Sequence, residues 1–395
     1  MAKYDFDRVI ERRETNSLKY DFYRERKMPQ DVLPLWVADM DFETAPEIKE
    51  AIIKRVSHGI YGYTRPKQDY KDILIKWMKK HHDWETRPEW YFYTPGVMFG
   101  ISMAIRALTE VGDGVLIQRP VYYPFSSVVL DNNRNLINNA LVYHKEKNAS
   151  GKYSMDLVEF EEKIVKNKVK LFLLCNPHNP VGRVWTIEEL EAVGDICLRH
   201  NVKVISDEIH EDFIYEGHKH IPFAKVKPEY QDITITCTSP SKTFNLAGLQ
   251  MSNIIVPNRE IRTAIKEEID KTGYDEPNIL GMVACQAAYT YGEEWLEELK
   301  CYLIENLRFV KEFLQTKLPK IKLVEPEGTY LIWLDFSEYG LTDDEINYKV
   351  IHEAKLWLDH GTMFGEEGEH FQRINIAAPR KIVEQALLSL ERVFA

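Results

Sequence analysis

Cysteine is scarce. The 395-residue sequence has five, at positions 175, 197, 237, 285 and 301, and the closest two are sixteen residues apart. That spacing excludes the paired thiols of a zinc site. Three of them sit in apolar strand-like or helix-like runs and read as buried thiols of a reducing compartment. Long apolar runs are absent, so nothing reaches the length of a membrane span. The opening MAKYDFDRVIERRE has no apolar stretch for a signal peptide, and a cytoplasmic location is expected. Positive charge is in deficit: 51 Lys and Arg stand against 62 Asp and Glu, a formal charge of -11. Such a surface repels nucleic acid and anionic lipid, so neither is expected as a partner. Repeats, low-complexity tracts and Gly/Ser linkers are missing as well. What remains is ordinary globular composition, 44% hydrophobic and 29% charged, in a chain too long for one ordinary core.

From about Tyr91 the pattern becomes strand, turn and helix, repeated. YFYT leads into PGVM and GISMAIRALTE, and GVLIQ into RPVYYPF. VKLFLLC leads into NPHNPVG and a polar helix from Thr186. VKVIS precedes DEIHED, ITITCTS precedes PSKTFN, and MSNIIVP is the last strand candidate. These are short apolar runs rather than alternations, which marks strands buried on both faces in a mostly parallel sheet covered by helices. The fold class expected is therefore α/β. After Gly292 the character changes. Trp295, Leu296, Leu299, Leu303, Leu307, Val310 and Leu314 recur at helical spacing. KLVEPEGTYLIWLDF and HFQRINIA then read as strands of a smaller α+β unit. The expected division is a large domain over 47–288, a small one over 289–395, and an N-terminal segment, 1–46, that packs on the small one.

Ligands of an open parallel sheet gather at the carboxyl ends of its strands. The residues there are Gly96, Tyr122, Asn176 with Asn179, Asp207, and Ser239 with Ser241 and Lys242. One carboxylate, one lysine, one aromatic, hydroxyls and amides converge on one rim, and the set requires no metal. Each suits a part of pyridoxal 5′-phosphate. A phosphate fits a glycine turn opening a helix, here Gly96, Val97 and Met98, although many such turns merely end strands. A carboxylate keeps the pyridine nitrogen protonated, and Asp207 is placed for it; its ordinary reading is a helix N-cap. A lysine at a strand end can form a Schiff base. Most lysines are solvated, but the hydroxyls one and three residues before Lys242 argue for the less common use.

NPHNPVG (176–182), SDEIH (206–210), SPSKTF (239–244) and HFQRINIAAPR (370–380) together resemble fold-type I pyridoxal-phosphate enzymes of the aminotransferase class I/II superfamily. LPLWVADMDF (33–42), HGIYGY (58–63) and MFGEEG (363–368) resemble its MalY/PatB branch, the cystathionine β-lyase-like C–S lyases. The resemblance implies the following. Lys242 matches the Schiff-base lysine and Asp207 the partner of the pyridinium nitrogen. Asn179 matches the amide on the ring 3-hydroxyl, and Tyr122 the aromatic stacked on the ring. Ser239 and Ser241 lie where hydroxyls meet the phosphate. Arg373 matches the clamp of the substrate α-carboxylate, for which a guanidinium fork is well shaped. Ala38 lies in a loop that closes over substrate, and Tyr63 matches a tyrosine donated across a homodimer to the neighbouring phosphate. Two positions depart. Gln250 stands where many relatives grip the phosphate with arginine. His210 stands where aminotransferases often place a tyrosine on the ring oxygen, so it is assigned to the cofactor's surroundings without a catalytic role.

His210, His218 and His220 lie among Glu208, Glu211 and Asp212, but HEDFIYEGHKH matches no ligand spacing. A solvated loop is expected there. Trp36, Tyr61 and Tyr63 are candidates to line the pocket. The resemblance implies α,β-elimination from cystathionine or an S-substituted cysteine, giving thiol, pyruvate and ammonia. The same residues would serve transamination. A regulatory binding protein built on this fold ranks last, because the catalytic set is complete.

Overall fold

A computed structural model describes residues 3–145 and 151–395. Seven strands form the main sheet, in the order Tyr91–Thr94, Ser252–Ile255, Thr234–Thr238, Lys203–Asp207, Val169–Cys175, Gly114–Ile117 and Asn135–Asn138. All neighbours are parallel except Ser252–Ile255, which runs antiparallel to both of its partners.

The apolar runs have a direct explanation in the packing. Successive strand side chains point to opposite faces, and here each face has its own core. Leu171, Leu173, Ile205, Ile235, Val115 and Ile117 join one apolar cluster with the helix Val97–Leu108. Phe172, Leu174, Val204 and Leu116 join another with the helices Leu157–Asn167 and Ile187–Arg199. The second of these helices starts at the capping box of Thr186 and Glu189. On the first face the helix comes so close that a Cβ on Gly100 would lie 2.8 Å from Ile254 Cδ1.

The smaller sheet is antiparallel, in the order Lys322–Val324, Leu331–Asp335, Phe371–Asn375, Asp359–His360. The helix Glu293–Lys317 packs beside it and buries all seven apolar residues that the spacing picks out. The N-terminal segment makes a strand contact here: Leu33–Pro34 pairs in parallel with Leu356–Trp357. Lys19 is wholly buried there against Asp41 at 2.7 Å, and Arg12 bridges Asp39 and Asp41. Cys175, Cys197, Cys237 and Cys285 are buried, whereas Cys301, on the long helix, is exposed. Among the described residues no helix is long and apolar enough to cross a membrane.

Candidate active site

Register sets the floor of the site. Cys175, Asp207 and Cys237 lie level across three parallel strands, so the segments that follow them leave the sheet at one edge. A cavity of about 320 Å³ opens there. Gly96, Val97, Met98, Tyr122, Asn179, Asp207, His210, Ser241, Lys242, Ala38 and Arg373 all line it.

The amine of Lys242 donates to the carbonyl of Ala38 at 2.9 Å. Burial pushes its pKa down to about 8, against the pull of Asp39 and Asp207. Asp207 is buried and accepts one backbone N–H, from Ile209 at 3.2 Å. Burial raises its pKa to about 7, so its carboxylate calls for a cationic partner. Tyr122 is pushed upward by burial and stays a neutral phenol. His210 is held well below its ordinary value by burial and by the nearby charges of Lys242 and Arg373. It is a neutral imidazole whose Nδ1 has no partner.

Arg373 sits opposite Asp359 in the register of the small sheet, which brings their side chains to one face. Its Nη2 pairs with Asp359 and donates to Trp36 O at 2.7 Å, and its Nη1 donates to Asn179 Oδ1 at 3.0 Å. Nε remains without a partner. With its carbonyl on Arg373, Asn179 keeps its NH₂ end for a ligand.

The loop carrying WVADMDF is held through its main chain as well as through Asp39 and Asp41. Asn245 donates to Met40 O and Phe42 O, each at 3.0 Å, and accepts from Met40 N. Asn375 donates to Val37 O and Asp39 O at 2.7 and 2.6 Å. Tyr330 Oη donates to Ala38 O at 2.9 Å. Tyr330, Asp359, Asn245 and Asn375 escape the sequence reading. Asn375 had a usable signal, since it lies two residues beyond Arg373 on one strand and shares its face. Asp359 had none, because the pairing is between strands.

Several expected positions differ. Ser239 does not line the cavity; its hydroxyl donates to Met251 O at 2.8 Å and accepts from Ser241 N, capping the short helix Pro240–Thr243. Of the two serines, Ser241 is the one that lines the cavity. Tyr63 is 98% exposed, and neither it nor Tyr61 reaches this cavity within one chain, whereas Trp36 does. Gln250 is exposed and lies outside the lining. The stretch expected as a solvated loop is partly buried: Glu208, His210, Glu211, Asp212 and His220 are inside, and only its turn at 216–219, with His218, is exposed. Its charges find internal partners, since Glu208 accepts from Ser206 Oγ and Phe223 N, and Asp212 from Thr243 Oγ1.

The set fits pyridoxal phosphate on its own chemistry. An enclosed amine of depressed pKa, a buried carboxylate short of a cation, and a phenol ring surround the cavity. A helix N-terminus opens onto it, with nothing within 4 Å of where a Cβ on Gly96 would stand.

Comparisons with known proteins agree. The pattern of the family "Aminotransferase class I and II" matches residues 30–390. The chain is 44% identical to cystathionine β-lyase PatB of Bacillus subtilis (strain 168), over 97% of this chain and 98% of that one. It is 35% identical to protein MalY of Escherichia coli (strain K12), over 98% of both. Its fold superposes on cystalysin of Treponema denticola, whose crystal structure contains pyridoxal 5′-phosphate, with a TM-score of 0.94 and 38% identity, covering 99% of this chain and 98% of that one.

Proposed function

This chain belongs to the aminotransferase class I and II family, and from that membership we propose that it is a pyridoxal-phosphate-dependent C–S lyase of the cystathionine β-lyase type. The reaction consumes cystathionine or an S-substituted cysteine and one water, and yields a thiol, pyruvate and ammonia. Full-length similarity to PatB carries the choice of lyase over aminotransferase, and the enclosed amine of Lys242 beside Asp207 carries the dependence on the cofactor.

We assign the roles as follows. Lys242 holds the cofactor covalently through Nζ. When bound, pyridoxal phosphate supplies an electrophilic carbon for the substrate amine and a ring that takes up electron density from Cα. Asp207 keeps a proton on the ring nitrogen. Tyr122 would cover one face of the ring and Asn179 would donate its NH₂ to the ring oxygen, with neutral His210 beside them. Gly96, Val97, Met98 and Ser241 receive the phosphate, and Ser239 supports them by fixing Ser241. Arg373 would fix the substrate carboxylate in the cavity that Lys242 also lines. The freed amine of Lys242 takes the Cα proton, and its depressed pKa leaves a useful fraction neutral near pH 8. A thiolate then departs from Cβ; its conjugate acid has a pKa of about 8.5, which makes it a competent leaving group. The Ala38 loop shields the site from water.

We extend the proposal to assembly. A helix N-terminus supplies only about half a unit of positive charge against a phosphate, and Gln250 adds none. Tyr63, exposed on the segment between the helices Pro46–Ser57 and Gln68–His82, completes the site of a second copy in a cytoplasmic homodimer. The unit 47–288 then carries the cofactor, and 289–395 with 1–46 covers it. The deciding assay is pyruvate formation from cystathionine with no 2-oxo acid present. Turnover that strictly required a 2-oxo acid would make the protein an aminotransferase.

A further inference from the structure

Behind the site floor lies a second group of chemistry-bearing side chains that the lyase reaction does not use. We propose that His82, Glu211 and His220 bind a divalent cation of the zinc type, with Asp212 beside them as a further carboxylate. One donor atom from each of the three lies within 4.8 Å of the others, and all three residues are buried. Among the described residues no other group of this kind is present.

The distances suit such an ion. Zinc bonds to nitrogen and oxygen of about 2.0–2.1 Å in a tetrahedron place neighbouring ligand atoms roughly 3.4 Å apart. His82 Nε2 lies 3.6 Å from Glu211 Oε2 and 3.4 Å from Asp212 Oδ1. The widest separation, up to 4.8 Å, has to contract by as much as about 1.4 Å for such bonds, which rotation of the long Glu211 side chain can supply.

The donors are also unspent. His82 Nε2, Glu211 Oε2 and His220 Nδ1 have no hydrogen-bond partner, although all are buried. Glu208 lies 3.0 Å from His220 Nε2. A carboxylate on one imidazole nitrogen, leaving the other lone pair for a metal, is the usual outer support of a metal-bound histidine. Asp212 is fixed in the same manner, by Thr243 Oγ1 at 2.6 Å and Trp77 Nε1 at 3.3 Å. Charge points the same way. Glu208, Glu211 and Asp212 are buried together, and Glu211 Oε2 has no hydrogen-bond partner there. Unpaired buried carboxylates are costly, and a cation offsets them.

Such an ion would tie the end of the helix Gln68–His82 to the segment that follows Asp207 and, through Asp212 and Thr243, to the helix that carries Lys242. Its role would be structural, and the inference does not depend on the lyase reading.

The test uses the cofactor-loaded protein, stripped with a chelator and then given Zn(II) or Co(II) alone. One ion per chain should survive gel filtration, raise Tm and, for cobalt, give the visible absorption of a four-coordinate site. Glu211→Gln, close in shape, should abolish all three, and so should His82→Gln, which stands in if the first variant misfolds. A folded parent chain that retains no ion overturns the proposal by itself. Equal retention by the parent and by either variant overturns it too, because the ion would then sit elsewhere.

Discussion

The guanidinium of Arg373, proposed to hold the substrate carboxylate, is oriented in advance. Asp359, Asn179 and Trp36 O hold its two terminal nitrogens, so little side-chain freedom remains to be lost when a carboxylate arrives. Lysine keeps the charge but not the fork. Arg373→Lys should therefore raise KM by about 10- to 100-fold, the equivalent of one charged hydrogen bond of roughly 1.5–3 kcal/mol, and steady-state kinetics would measure it. Lys242 and Asp207 are legible through pH. Each is costly to bury only when charged. Asp207, with a pKa raised from 3.8 to about 7, leaves the folded, cofactor-free chain binding more protons than the unfolded one, so that chain loses stability as pH rises through this window. Lys242, lowered from 10.5 to about 8, has the opposite sign, and its cost appears as pH falls from about 10.5 through about 8. Asp207→Asn should raise the Tm of the cofactor-free chain at pH 8 and leave it nearly unchanged at pH 4. Equal effects at the two pH values would contradict the assignment.

At the scale of the element, the strands divide their side chains between two separate cores, and the long helix Glu293–Lys317 feeds a third cluster. Leu299, wholly buried on that helix, should cost about 2–5 kcal/mol when truncated to Ala, read by denaturant unfolding. Elements of this kind were legible because burial on both faces, or on one stripe, writes itself into the residue types. Asn135–Asn138 was not: it is an edge strand of polar and half-buried residues, and NLIN carries no burial signal. The antiparallel pair of Val142–His144 with Lys152–Ser154 was hidden too, because its runs are three residues long and largely polar. The buried acids after Asp207 misled the reading in the opposite direction. A run such as DEIHED is solvated unless partners distant in sequence satisfy it, and those partners, Phe223 and Thr243 among them, cannot be assigned before the fold is known. Within the site, motif residues on strand ends were legible, whereas Tyr330, Asp359 and Asn245 act through contacts that only the tertiary structure creates.

For the whole molecule, the role proposed for Tyr63 would make activity a property of two chains. Tyr63→Phe should weaken cofactor retention and leave the fold intact, seen as faster loss of the cofactor's visible absorbance on dialysis. Mixing a Lys242→Ala chain with a Tyr63 variant severe enough to be inactive should restore partial turnover, since one site in the mixed dimer regains both groups. A fully active monomer by light scattering would remove the basis for that expectation. The loop at 36–42 has a different consequence. Asn245, Asn375 and Tyr330 grip its peptide carbonyls and amide, while Arg12 and Lys19 hold the carboxylates of Asp39 and Asp41. Alanine scanning along the loop would register Asp39 and Asp41 but pass over these main-chain atoms, and at position 38 there is nothing left to truncate. The functional map of this loop has to be drawn from the outside, by deleting Asn245, Asn375 and Tyr330, or by replacing single peptide links with esters, which weakens the carbonyl as an acceptor while leaving every side chain in place.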